Sequence, residues 1–435
     1  MSNSIVQCIV KQTIAPMPSQ LQKTGAFISQ GATTLSEGST ALITQFSDLT
    51  AILFGAVSIT SISWSGSVAT VTTTTAHDIP IGDSVEVVIS GVNPTGYNGT
   101  FLATSTGSST FTYPLVSNPG LVTVQGSVTL EDVQELVAMA TTWFAQGSNN
   151  AFYVLELGVG DAAQGVTALT TYLENPTVQF YGFLLPRSWS SEPTAITLAS
   201  NHTNTTAKVY FWVTCTLGNY TNWSSLGYKS TRIMVEASNI PVTEFSLASM
   251  FWVQINYSPS STNMVTPMQF AYVYGVTLFN GNQTTQAELR TANVNYIGNG
   301  AEGGISNTLI SVGKGSDGNP VNYWYAVDWV TINSDLNISN YIINGSNNPT
   351  NPLYYNQNGI NRLQGVAQST MSTGISYGLI LSPVTVNAVP FNQYVAINPS
   401  DYSIGRYAGL SVSFTPQNGF SNIIYNINVT SLVLP

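Results

Sequence analysis

Residues 129–161 read TLEDVQELVAMATTWFAQGSNNAFYVLELGVGD. Leu130, Val133, Val137, Ala140 and Phe144 recur at helical spacing, so one apolar face is predicted from Thr129 to about Gln146. Thr129, with Asp132 three residues on, reads as a capping-box variant. Gly147-Ser148-Asn149-Asn150 breaks the helix, and residues 151–157 form a short, almost continuous apolar run. Similar runs follow at Val178–Leu185, Val209–Thr214 and Ile233–Glu236, with helical stretches at Ala163–Leu173 and Thr194–His202 between them. Apolar runs of this length suit strands covered on both faces. Strands alternating with crossover helices predict an α/β core, a doubly wound, mostly parallel sheet.

Working outward, residues 55–128 change character. They are rich in Val, Thr, Ser and Gly, and strands are expected at Val57–Trp64, Val68–Thr74, Ser84–Ser90, Gly99–Thr104, Thr110–Tyr113 and Val122–Val128. Turn residues such as Ile81-Gly82-Asp83 and Asn93-Pro94-Thr95-Gly96 separate them. This reads as a small all-β barrel or sandwich inserted into the core, after a short helix opened by Ser47-Asp48-Leu49. The predicted organisation is an arm at 1–18, a core at 19–54 and 129–420, the β-insertion at 55–128 and a second arm at 421–435. Residues 2–15 also read as an edge strand of the core. Further on, Phe245–Tyr257 is either helix or strand, Thr284–Val294 and Gly359–Leu381 read as helices, and Val384–Val386, Tyr394–Ile397, Leu410–Phe414 and Ile423–Leu434 read as strands.

Only 7% of the 435 residues are charged, against roughly a quarter in ordinary globular chains. Asn, Ser, Thr, Gln and Tyr must cover the surface, which suits contact with other protein because few ions need desolvating. The net charge of −10, with ten Lys and Arg, argues against nucleic-acid binding. Cys8 and Cys215 read as small apolar residues. Ile5–Val10 is too short for a signal peptide, and no apolar run approaches a membrane span, so no membrane insertion is expected.

Candidate chemistry is sparse. Gly374-Ile375-Ser376-Tyr377-Gly378 matches the hydrolase elbow, but it falls in a predicted helix, and both histidines, His77 and His202, precede it. Gly158-Val159-Gly160-Asp161 sits where a phosphate loop would, yet Asp161 would repel phosphate, and a capped βα turn explains it better. Gly313-Lys314-Gly315-Ser316 lacks the Lys-Ser/Thr adjacency of a Walker loop. Asp317, Asp328 and Asp335 could converge, though nothing in their spacing requires it. No catalytic, metal or cofactor residue is assigned, and no enzymatic activity is expected.

The Ser-Asp-Leu segment near Phe54-Gly55, the run Ala140-Thr141-Thr142-Trp143-Phe144-Ala145-Gln146 before Phe152–Gly158, and Asp401-Tyr402 … Gly405-Arg406-Tyr407-Ala408-Gly409 together resemble the contractile tail sheath proteins of myoviruses, in particular a divergent sheath-like family. The β-insertion is a departure from that pattern. It resembles, through Ala76-His77-Asp78 and Tyr97-Asn98-Gly99-Thr100-Phe101, a small module of phage structural proteins. The resemblance implies a virion subunit assembled in the host cytoplasm. Its copies form six-membered rings that stack around a tail tube protein, end at baseplate and tail terminator proteins, and contract without ATP. It also implies that the terminal arms add strands to neighbouring copies. Ile5, Val6, Ile9, Val10, Ile423, Tyr425, Ile427 and Val429 are the expected lattice-strand residues. The alternatives are a tail tube or capsid-decoration subunit, or a secreted carbohydrate-binding or adhesive protein.

Overall fold

The computed structural model describes residues 21–147, 151–203, 208–300 and 307–421. The chain enters through β1 (Gly25–Ser29) and β2 (Thr40–Ile43), then a one-turn helix at Phe46–Thr50. Asp48 holds that helix start, accepting from the Thr44 hydroxyl at 2.6 Å. Next come β3 (Val57–Ser65), β4 (Val68–Thr73), β5 (Ser84–Ser90), β6 (Gly99–Gly107), β7 (Thr110–Pro114) and β8 (Ser127–Leu130). These six close into a barrel in the order β3-β4-β7-β6-β5-β8. Alternating side chains such as Val85, Val87 and Ile89 point inward, as the period-two pattern predicts.

The barrel returns to the core without a loop, because β8 runs straight into the Glu131–Ala145 helix. The predicted Thr129 cap is therefore corrected. Thr129 is a strand residue paired with Val88, and Leu130 precedes the helix with no side-chain cap. Pairing in the barrel outweighs the local capping preference.

Strands β9 (Phe152–Glu156), β10 (Gly182–Leu184), β11 (Tyr210–Cys215) and β12 (Thr231–Val235) complete a six-stranded sheet, ordered β12-β11-β10-β1-β9-β2. All its pairings are parallel except β2 against β9. The fold is thus mixed α/β with a doubly wound core, as expected. On one face, Phe27, Val154, Trp212 and Met234 pack under Leu136, Trp143, Phe251 and Tyr325. On the other, Ile28, Leu155, Phe211 and Val213 meet Val166, Leu169 and Leu198 from the Ala162–Glu174 and Pro193–Thr203 helices. The Phe245–Tyr257 segment resolves as a helix, Ser246–Ile255. Its Phe251 ring fits because Gly25 and Gly182 pair across β1 and β10, and a Cβ at either would stand 2.5 Å from that ring.

The C-terminal third builds on the first sheet face. A short hairpin, β13 (Ile297–Asn299) with β14 (Thr308–Ile310), precedes the long helices Val321–Ser346 and Gln357–Ser376. An antiparallel ribbon, β15 (Ile380–Ala388) with β16 (Leu410–Pro416), lies against them. The expected strand at Tyr394–Ile397 is instead the helix Phe391–Ile397, led by Pro390. The Tyr394 hydroxyl donates to Asp401 at 2.6 Å and accepts from the Ala408 amide, so the ring anchors a local fold rather than a sheet.

Candidate functional site

Taken in chain order, the five parallel strands lie 2-1-3-4-5, so the winding direction reverses between β1 and β10. Ligands of such sheets sit in the crevice beyond the strand ends at that reversal. Here the β1 side of that crevice is occupied from within. Glu156, at the end of β9 and 1% exposed, turns its carboxylate into the loop that follows β1. Oε1 accepts the Gly31 amide at 2.6 Å and the Gly158 amide at 2.9 Å. Oε2 accepts the Ser29 hydroxyl at 2.6 Å, the Thr33 hydroxyl at 2.7 Å and the Thr33 amide at 3.2 Å. Gln30 closes the adjoining space, donating to Asp161 O at 2.8 Å and accepting from the Trp189 indole at 2.5 Å. Asp161 caps the next helix in a reciprocal box with Gln164. The donors a phosphate would need already hold a carboxylate, so Gly158–Asp161 is a capped βα turn.

The other sequence candidates dissolve into structural roles. Ser376 lies in the last turn of its helix, and its hydroxyl donates to Thr373 O. Gly378, at φ +68°, ends that helix, while the Gly378 and Leu379 amides return to Ile375 O and Gly374 O. This is a Schellman closure, the reason for Gly378, whereas Gly374 lies inside the helix against Ile380 and Trp329. Ser316 of the 313–316 turn is buried against Thr231 Oγ1 and Tyr228 O. His77 is buried and bonded through both ring nitrogens, to Thr110 O and the Ile79 amide. Asp317 and Asp328 keep separate partners, Trp324 for the first, Tyr181 and Tyr210 for the second.

One carboxylate group escaped the sequence reading. Glu131, Asp132 and Glu135, at the helix start beneath the barrel, bring ligand-type oxygens within 4.8 Å of one another. Helical spacing of one, three and four residues was the available signal. Burial pushes the Glu135 carboxyl up to about 8, with Glu131 adding to it and Arg187 opposing. Burial also raises Asp132 well above the carboxylate range, helped by Glu135, Glu131, Glu156 and Glu86. Arg187 lies 3.5 Å from Glu135 and 2.8 Å from Glu236, and caps Glu244 O.

The assembly residues expected at Ile5, Val6, Ile9, Val10, Ile423, Tyr425, Ile427 and Val429 lie outside the described residues. The ribbon from which the second arm would leave is described. Among the described residues, β15 and β16 pair only with each other, and Leu381 on β15 is 44% exposed. Exposed apolar side chains also alternate along Phe270, Tyr272 and Tyr274, beside β14.

No protein-family model matches this chain, and no curated protein matches it. Several solved structures are similar, among them two sheath tail proteins. A sheath tail protein from Listeria innocua shares 12% identity, over 91% of this chain and 92% of its own, with a TM-score of 0.45. A sheath tail protein from Desulfitobacterium hafniense shares 10% identity, over 95% of this chain and 100% of its own, also with a TM-score of 0.45.

Proposed function

We propose that this chain is a non-enzymatic structural subunit of a contractile phage tail sheath, polymerising as stacked rings around a tail tube. The observation that carries the reading is the β15–β16 ribbon, whose strands pair only with each other among the described residues and which stands at the root of residues 422–435. A two-stranded ribbon is marginal alone and offers backbone donors and acceptors along its outer edges. Strands donated by neighbouring copies complete it, and heterologous contacts of that kind propagate into an open lattice. The sparse surface charge and the crevice filled by Glu156 agree with a role in packing rather than turnover.

Contraction in this reading uses no nucleotide. The extended lattice is a metastable packing, and subunits rotate to a better one while the donated strands keep them connected. The test is electron microscopy of purified full-length protein beside forms lacking residues 1–20 or 422–435. Full-length protein forms striated hollow cylinders, and both truncations stay folded but unassembled. Cylinders from a truncated form would remove the strand-exchange reading.

A further inference from the structure

The inserted barrel meets the core at an unusually acidic joint. β8 passes directly into the Glu131–Ala145 helix, and the side-chain bond from Gln164 Nε2 to Asp83 Oδ2, 3.1 Å, bridges the two bodies beside it. Besides Asp83 in that bond, the charged groups facing the joint come from five places. The helix start supplies Glu131, Asp132 and Glu135, and β5 supplies the exposed Glu86. The end of β9 supplies Glu156, the segment after β12 supplies Glu236, and the turn after β10 supplies Arg187, the cation named among them. The positive helix end offsets about half a charge, against two or more full charges at a few ångströms, so repulsion dominates when the carboxyls are ionised.

We propose that the barrel–core joint is proton-gated: it closes in mild acid and loosens near neutral pH, setting how firmly the barrel is held against the core. Opening the joint returns Glu131 and Asp132, the two that face Glu86 of the barrel, to water, where each ionises at its ordinary value, while Glu135 stays on Arg187 in the core. Closure therefore takes up protons. The raised carboxyls of Glu131 and Asp132 agree in direction with this linkage.

The experiment is hydrogen exchange of the full chain at pH 5.5 and 7.5, corrected for the chemical exchange rate and read on peptides covering 54–57 and 128–136. One proton taken up on closure changes the closing equilibrium about tenfold per pH unit, so protection at the joint should be at least roughly tenfold greater at pH 5.5. Amides of β11 serve as the internal reference. Glu131→Gln with Asp132→Asn should protect the joint equally at both pH values. Should that pair fail to fold, Glu86→Gln on the exposed face of β5 should reduce the pH difference alone. Equal protection at both pH values in the parent, or an undiminished difference in Glu86→Gln, overturns the proposal.

Discussion

The Asp328 carboxylate, on the Val321–Ser346 helix, accepts the hydroxyl of Tyr210 from β11 at 2.7 Å. The same oxygen accepts from Tyr181 at 2.9 Å, which ties the C-terminal layer to the sheet. Burial raises the Asp328 pKa, and the two hydroxyls oppose that rise. The unfolded chain therefore loses this proton at lower pH than the folded chain. Stability from the group is fullest in acid and declines as pH climbs from the unfolded value through the raised folded value. In Asp328→Asn that decline is absent. Urea unfolding from pH 4 to 8 should show the variant-minus-parent stability growing more positive with pH, then levelling. A flat difference would count against it.

Glu156→Gln tests the filled crevice. A carboxylate accepts all five donors around it, whereas an amide must turn its NH2 toward two or three of them. Leaving buried donors unmatched should cost roughly 2–4 kcal/mol, measured by urea denaturation. Added phosphate should not restore the loss.

Gly182→Ala tests the slot for Phe251. The new methyl would meet the ring at 2.5 Å and the Trp212 indole at 3.2 Å, so destabilisation of about 1–3 kcal/mol is expected. Phe251→Leu should recover part of it, and a double-mutant cycle would show positive coupling. Simple additivity would mean the two positions do not share that space.

Arg187→Met removes the cation facing Glu135 and Glu236. At pH 9, with Glu135 charged, the loss should be roughly 2–4 kcal/mol, toward the lower end because a third of the Arg187 side chain reaches solvent. Glu135 titrates near 8, so below that pH it carries a proton and needs no counter-charge. The penalty should shrink by pH 5.5 in thermal unfolding, and a penalty that grew in acid would contradict the assignment.

The parallel sheet was legible because its strands are apolar runs spaced by helical periods, as at Val209–Thr214 and Ala163–Leu173. The barrel was legible from alternation, in Val85–Ile89 for example. What escaped were features set by distant partners. Thr129 has the chemistry of a cap but is claimed by pairing to Val88. Tyr394–Ile397 has the composition of a strand but is folded by the Tyr394–Asp401 bond. The fate of Glu156 was invisible, since its five donors come from the last residue of β1 and the loops after β1 and β9. The Gly374–Gly378 motif was set aside correctly, since the predicted helix is there and Gly378 closes it.

The loop-free passage from β8 into the Glu131–Ala145 helix has a mechanical consequence. The far end of that helix carries Trp143, wedged against Phe27 and Phe152 at ring separations of 5.6 and 5.5 Å, in the middle of the sheet. A torque on the barrel has no slack segment in which to dissipate there. It travels along the helix as along a crankshaft and arrives at the Trp143, Phe27 and Phe152 cluster of the core, so a pull on the periphery is felt at the centre.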